Sequence, residues 1–439
     1  MSAAPVRIGL IGLGTVGQGL VRLLARNRDE YARRLGRPLV ITHAAARDRA
    51  RRRDCDLSGI TLVDDPAFIA REAPVDVVVE LVGGISPARE LLLEAMARGK
   101  AVVTANKALL AEDGNRMFAA ARDAGVALGF EAAVAGGIPI IRVLREGLAG
   151  NRLQAIAGII NGTSNYILSQ MTERGMEFSR ALAEAQSLGY AEADPRFDVE
   201  GIDAAHKLTI LATLAFGMPL TYSAVAAEGI TRVTARDIEL AHELGYRIKP
   251  LAIAKRGAGG VELRVHPTLV PHEHLLAKVD GVLNSILVQG DAVGPTGYYG
   301  RGAGGDATAS AVVSDLLEVA REHGVAAPHR PHALGFDPGA MAPLPLVPRE
   351  QVQSAHYVRL QVADTPGVLK GITSILAELD ISIEAILQKE PRGRDDATLA
   401  IITSVIGEQR FAQAMAKLLA LPFVRPGSTH LRVEHFDGA

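Results

Sequence analysis

Between Gly189 and Lys207 the chain reads GYAEADPRFDVEGIDAAHK, crowding Glu192, Asp194, Asp198, Glu200 and Asp203 ahead of His206 and Lys207. The run that follows, Leu208 to Phe216, is LTILATLAF, the composition of a buried helix. Numbered from Gly201, that helix places Asp203, Lys207, Ile210 and Leu214 on one face at i, i+4, i+7 and i+11. An Asp–Lys pair at this spacing on a surface is worth about 0.2–0.5 kcal/mol. Here apolar residues continue the same face, so the pair is expected to point inward. Desolvating a carboxylate and an ammonium is expensive, and a site that handles charge is a reason to bear that cost.

Chemistry of this kind needs elements to hold it. Val6 to Ile11 (VRIGLI) reads as a buried strand that runs into Gly12-Leu-Gly14-Thr15-Val16-Gly17, with a helical pattern from Thr15 toward Ala25. This is G-x-G-x-x-G between a strand and a helix, the setting of a dinucleotide pyrophosphate at a helix N-terminus. The next strand, Leu39 to Ala45, ends without the acidic residue that selects a free ribose 2′-hydroxyl; Ala46-Arg47-Asp48-Arg49 stands there instead. Arg47 can pair with a 2′-phosphate through a forked contact, or belong to a solvated basic loop over Arg47 to Arg53. The first reading makes NADP(H) the preferred cofactor and leaves NAD(H) open.

Strand and helix patterns then alternate: Val75 to Leu81, Pro87 to Arg98, Ala101 to Thr104, Leu109 to Ala124 and Val126 to Phe130. The alternation implies a doubly wound parallel sheet, with ligands beyond the carboxyl ends of the strands. Asn106, Lys107 and Glu131 lie at such ends; Lys107 reads as an exposed lysine or as a group beside a nicotinamide. Gly136-Gly137 and Pro139 mark a change of direction where backbone carbonyls beside one carboxylate suit a hard cation. Asn161 to Leu168 (NGTSNYIL) follows a strand-like run, its small polar residues gripping a substrate or capping the next helix. Val261 to Pro271 and Gly281 to Leu287 read as strands. His266, His272 and His274 among them form either a metal cluster or solvated loop histidines. A second Gly-rich turn, Gly297 to Gly305, opens a helix over Ala307 to Glu322 whose N-terminus, at Gly304, can face a cofactor.

Pro331 to Pro348 is proline-rich and aperiodic, the mark of a linker or surface segment. Beyond it, His356 to Val362, a helix to Leu379, Ile381 to Lys389, a turn at Pro391 to Asp396, Thr398 to Ser404, Glu408 to Leu419 and Leu431 to His435 give the order βαββαβ, a ferredoxin-like layout.

Composition removes other classes. The chain has 439 residues, a formal net charge of −2, no tryptophan and 4% aromatic residues, so neither a basic field nor stacking surfaces invite nucleic acid. One cysteine, Cys55, rules out an intrachain disulfide and a multi-cysteine zinc site and fits a reducing cytoplasm. No signal peptide is read ahead of Val6. The longest apolar stretch, Leu208 to Leu220, is too short to span a bilayer.

The blocks GLGTVG (12–17), TANKALL (104–110), EAAVAGGIP (131–139), NGTSNYIL (161–168), GYAEADPRFDVEGIDAAHK (189–207) and GRGAGGDATASAVVSDL (300–317) together resemble homoserine dehydrogenase over essentially the whole chain. DTPGVL (364–369) resembles the opening of an ACT module, and the resemblance is to the monofunctional form. It implies a Rossmann domain at 1–138 completed by 302–340, an inserted α+β catalytic and oligomerisation domain at 139–301, a linker at 341–355 and an ACT domain at 356–439. It implies reversible reduction of L-aspartate 4-semialdehyde to L-homoserine by NAD(P)H, on the route to threonine, methionine and isoleucine. By the same resemblance Lys207 is the proton donor or acceptor beside Asp203, and Lys107 lies near the reacting oxygen and the nicotinamide. Glu192, Asp198, Asp203, Thr163 and Gly189 bind substrate. Gly12, Gly14, Thr15, Val16, Gly17, Arg47 and Gly304 bind cofactor. Glu131 with the carbonyls of Val134, Gly136 and Ile138 holds a sodium ion. A homodimer or homotetramer, with an amino-acid effector (L-threonine) at the tail, is likewise implied.

Arg47→Ala should raise the Michaelis constant for NADPH far more than that for NADH. Steady-state kinetics with both cofactors checks this, and equal changes refute the 2′-phosphate contact.

Overall fold

The computed structural model describes residues 4–325, 329–389 and 396–436; residues 391–395 of the turn expected at Pro391 to Asp396 lie outside them. The chain divides into two compact units: Met1–Ile156 with His206–Ala224 and Ile286–Leu344, and Ala157–Ala205 with Val225–Ser285 and Pro345–Ala439.

The first unit holds six parallel strands, β1 (Val6–Ile11), β2 (Leu39–Ala45), β3 (Thr61–Val63), β4 (Val77–Glu80), β5 (Ala101–Thr104) and β6 (Leu128–Gly129), in the order β3-β2-β1-β4-β5-β6. The chain winds outward from β1 in one direction and returns through β4 in the other, so the order reverses between β1 and β4, where α/β sheets bind ligands. Val77, Val78 and Val79 are each at most 1% exposed, the continuous burial of a strand covered on both faces. Helix Thr15–Arg26 packs against helix Gly305–Glu322, and Leu20, Val21 and Leu24 share a core with Ala309, Val312 and Leu316. The two backbones touch: a Cβ on Gly19 would sit 2.8 Å from the Gly305 carbonyl oxygen, and one on Gly305 would sit 3.0 Å from that of Thr15.

The tail of the second unit runs strand Gln353–Ala363, helix Val368–Glu378, strands Ile383–Lys389 and Asp396–Thr403, helix Glu408–Leu419 and strand Val424–Val433. This is the βαββαβ order read from the sequence. Alternate residues of its sheet face opposite ways. Val358, Leu360 and Ile401 pack on the tail's own helices through Ile372, Leu376, Phe411 and Leu418. Tyr357, Ala400, Ile402 and Leu431 pack with Ile167, Met171, Ile238 and Leu240. The central strands of the tail sheet, Gln353–Ala363 and Asp396–Thr403, are therefore buried on both faces. Its last strand also pairs in parallel with strand Gly260–Pro271, Thr268 opposite Arg432 and Leu269 opposite Val433.

Buried charges bind the tail to the rest of this unit. Asp237 and Arg359 are 0% and 6% exposed and join through Nε at 2.6 Å. Glu434 accepts from Lys255 Nζ at 2.6 Å and from Arg264. The prolines of 331–348 do not leave a free connector throughout, since Val261 N–H donates to the Pro345 carbonyl at 2.8 Å and Val347 N–H to that of Val261 at 2.9 Å.

Two sequence expectations change. The Gly-rich turn expected at Gly297 to Gly305 is mostly strand Gly294–Arg301, with only Gly302 to Gly304 turning; its residues alternate between half-buried and exposed, as in a strand with one covered face. His266 is no loop residue: it lies inside strand Gly260–Pro271, 2% exposed, with burial holding its imidazole well below its ordinary pKa. No group of three or more metal-ligating side chains occurs among the described residues, nor is any helix there long and apolar enough to cross a membrane.

Gly19→Val should cost about 1–3 kcal/mol by overpacking and lower the melting temperature. Gly14→Ala should not, since a Cβ at Gly14 meets nothing within 4 Å. Paired thermal melts check the contrast.

Candidate active site

In the second unit Asn161 stands just before helix Gly162–Arg174 and caps it, its Oδ1 accepting from Ser164 N–H at 2.8 Å. Both donors of its amide are then spent on carboxylates: Nδ2 reaches Asp198 Oδ1 at 2.7 Å and Asp203 Oδ2 at 2.8 Å. Ser164 Oγ donates to the Asp198 carbonyl at 3.0 Å. Thr163 Oγ1 donates to the Tyr190 carbonyl at 2.7 Å, tying down the loop that carries Gly189. Asp203 is buried at 4% exposure, Asp198 half-buried, and Glu192 and Gly189 exposed. One amide thus holds two acids from further along the chain side by side. In the sequence Asn161 reads as one of several small polar residues that grip a substrate or cap the helix; the carboxylates it binds are partners that spacing cannot reveal. Asp194 turns away to Arg196, whose hydrogen bonds hold its carboxyl down at about 2.

Asp203 and Lys207 lie one turn apart on helix Ile202–Phe216. The expected polar-to-apolar stripe is not what sets them apart, because the helix is buried on all sides. Only Ile202 and Lys207 are partly exposed, so Lys207 is where this helix opens.

In the first unit the three glycines of the β1 turn have separate reasons. Gly12 has φ +111° and a Cβ there would meet the Leu81 backbone at 2.9 Å; one on Gly17 would lie 2.1 Å from the Gly12 carbonyl oxygen. Gly14 faces open space at the N-terminus of helix Thr15–Arg26. Thr15 and Val16 follow it, their N–H groups in the first turn, where intrahelical acceptors are lacking. The residues present therefore fit a dinucleotide pyrophosphate. Ile11 lies opposite Ala45, so the glycine turn and exposed Arg47 leave the sheet at the same end. Gly304, with φ +120°, precedes helix Gly305–Glu322 with open space at its own Cβ position.

Lys107 is the first residue of helix Lys107–Asp123, two residues earlier than the periodicity indicates. Asn106 explains the difference: its Oδ1 accepts from Leu109 N–H at 3.1 Å, capping the helix, and its Nδ2 donates to the Gly84 carbonyl at 2.6 Å. Glu80, fully buried at the end of β4, accepts from Val82 and Gly83 N–H at 2.8 Å each and from Thr104 Oγ1 at 2.6 Å. Neither Glu80 nor this lock was anticipated. It fixes the loops after β4 and β5 around Lys107.

Glu131 is 3% exposed, and its carboxylate accepts from Ile141 and Arg142 N–H at 2.9 and 3.0 Å. Burial raises its pKa against those hydrogen bonds. Ala135 and Gly136 take left-handed φ values of +54° and +44°, curling Val134 to Ile138 beside it. Each carboxylate oxygen retains a second lone pair, so the donor set fits a hard cation.

Family models match the chain in three places: homoserine dehydrogenase, NAD binding domain, over residues 12–131; homoserine dehydrogenase over 139–317; and ACT domain over 356–423. A homoserine dehydrogenase of Pseudomonas aeruginosa is 50% identical over 434 residues, covering 99% of this chain and 100% of its own. One of Neisseria gonorrhoeae is 49% identical over 430 residues, covering 98% and 99%. The solved structure of a homoserine dehydrogenase from Thiobacillus denitrificans matches with a TM-score of 0.93 at 50% identity, over 98% of this chain and 99% of that one. A hyperthermophilic archaeal homoserine dehydrogenase in complex with NADPH matches with a TM-score of 0.61 at 28% identity, over 72% of this chain and 98% of that one.

Asn161→Ser keeps a helix cap but removes both amide donors. It should lower kcat/KM by about 10- to 100-fold with an unchanged circular dichroism spectrum; unaltered kinetics contradict the role given to the amide.

Proposed function

The chain belongs to the homoserine dehydrogenase family, and on that premise we propose how its own residues carry the reaction. It is an NAD(P)-dependent oxidoreductase that interconverts L-aspartate 4-semialdehyde and L-homoserine. The nicotinamide, when bound, supplies the hydride. Lys207 supplies the proton: its ammonium steadies the negative charge that develops on the aldehyde oxygen and then neutralises it. Lys107 adds a second positive charge near that oxygen. Asp203 orients Lys207 from one turn back and is itself held by Asn161.

Glu192 and Asp198 take the substrate's α-ammonium. Thr163 and Gly189 shape the same end. This assignment follows the family resemblance and is supported most directly by the one amide that joins Asp198 to Asp203, ahead of Lys207.

For the cofactor, the Gly12, Gly14 and Gly17 turn and the N–H groups of Thr15 and Val16 receive the pyrophosphate, and Gly304 lies against the bound dinucleotide. Arg47 meets the 2′-phosphate, which makes NADP(H) the preferred form; the NADPH complex of the archaeal relative is in keeping with this. Glu131 and the carbonyls of Val134, Gly136 and Ile138 hold sodium, consistent with a buried carboxylate that keeps spare acceptor capacity. The ACT tail binds an amino acid, L-threonine, as feedback effector, and the protein associates as a homodimer or homotetramer.

Lys207→Ala should lose about 1000-fold or more in turnover while still binding NADPH in a fluorescence titration. NADPH oxidation with the semialdehyde as substrate is the decisive assay, and near-normal turnover of the variant removes Lys207 from the mechanism.

A further inference from the structure

The acids that Asn161 gathers sit on a turn, Asp198 to Asp203, whose outer side is braced by one short segment. Ile230 N–H donates to the Val199 carbonyl at 2.8 Å. Gly229 lies so close that a Cβ there would stand 2.3 Å from the Val199 carbonyl oxygen and 2.6 Å from Glu200 Cα. Gly201, with φ +82°, approaches the Glu228 carbonyl oxygen, which a Cβ would meet at 3.5 Å. No side chain fits between this segment and the turn, so a shift of one displaces the other.

The segment is gripped from the tail. Arg432, whose side chain is 6% exposed, donates through Nη1 to Glu228 Oε2 at 3.0 Å and through Nη2 to Glu228 Oε1 at 3.1 Å. This is a forked, charge-assisted contact that sets orientation as well as distance. Glu408 accepts from Arg432 on the tail side, and Arg349 also donates to Glu228. Arg432 sits where the last tail strand pairs with strand Gly260–Pro271, and Glu228 N–H donates to the Val265 carbonyl of that same strand at 2.7 Å.

We propose that Glu228 is a positioning residue for the substrate-binding acids, held by Arg432 so that the tail sets the placement of the Asp198–Asp203 turn. It touches no reacting atom; it acts through Gly229 and Ile230 on Val199 and Gly201. A displacement of the last tail strand then reaches the substrate site through Glu228, by way of its ion pair with Arg432. The inference rests on the assignment of Asp198 and Asp203 to substrate binding.

The test is steady-state kinetics on the full chain. Glu228→Gln, which keeps shape and removes charge, should raise the semialdehyde KM about tenfold and leave the NADPH KM within about twofold. Arg432→Met should give the same pattern, and the double variant should be no worse than either single one, as a shared interaction requires. Arg432→Lys should recover part of the loss. Unchanged kinetics in Glu228→Gln, or equal losses toward substrate and cofactor, overturn the proposal. Asn161→Ser measured in parallel separates the causes. If it too is silent, the assignment of the acids is at fault; if it is impaired while Glu228→Gln is not, only the link to the tail is wrong.

Discussion

One primary amide holds two carboxylates side by side in the second unit. An amide is neutral, so Asn161 fixes the geometry of Asp198 and Asp203 without discharging them. The arrangement sets the positions of the carboxylate oxygens in advance, which is how preorganised polar groups avoid reorganising later. Much of the surrounding structure serves this contact: the cap that orients Asn161, the hydroxyl of Ser164 on the Asp198 carbonyl, and the close approach of Gly229 to Val199.

The first unit applies the same economy to a different partner. One of its buried acids, Glu80, is satisfied by two backbone N–H groups and one hydroxyl. It closes the loops beyond β4 and β5 so that Asn106 can start a helix at Lys107. Strong local hydrogen bonding places the lysine on a rigid element, and rigid elements hold functional groups more accurately than loops do.

What the sequence reveals follows from how local each signal is. VRIGLI followed by GLGTVG announces strand, turn and helix within a dozen residues or so, and the parallel sheet is found where that pattern places it. The βαββαβ order of the tail is equally local, and its alternation of apolar residues is visible before its two packing partners are. Asn161 is different: the acids it binds lie 37 and 42 residues further on, and no periodicity connects them. Arg is rarely buried, and no local pattern marks Arg359, Arg264 and Arg432 as inward; carboxylates distant in sequence, Asp237, Glu434 and Glu228 among them, help make their burial tolerable. The Gly-Tyr-Tyr-Gly run at 297–300 is ambiguous between turn and edge strand, and pairing with a neighbouring strand resolves it.

The parallel pairing of Thr268 with Arg432 also bears on how the protein is made. A ribosome delivers Glu228, Asp237 and Arg264 long before it delivers Arg432, Arg359 and Glu434. Until then those early charges lack their partners in the tail and stay more hydrated, so the layer they will occupy cannot fully dry out. The second unit must therefore wait, half assembled, for its closing strand. A nascent chain cut short in that interval would expose the apolar side of helix Ala235–Glu243 to quality-control proteases.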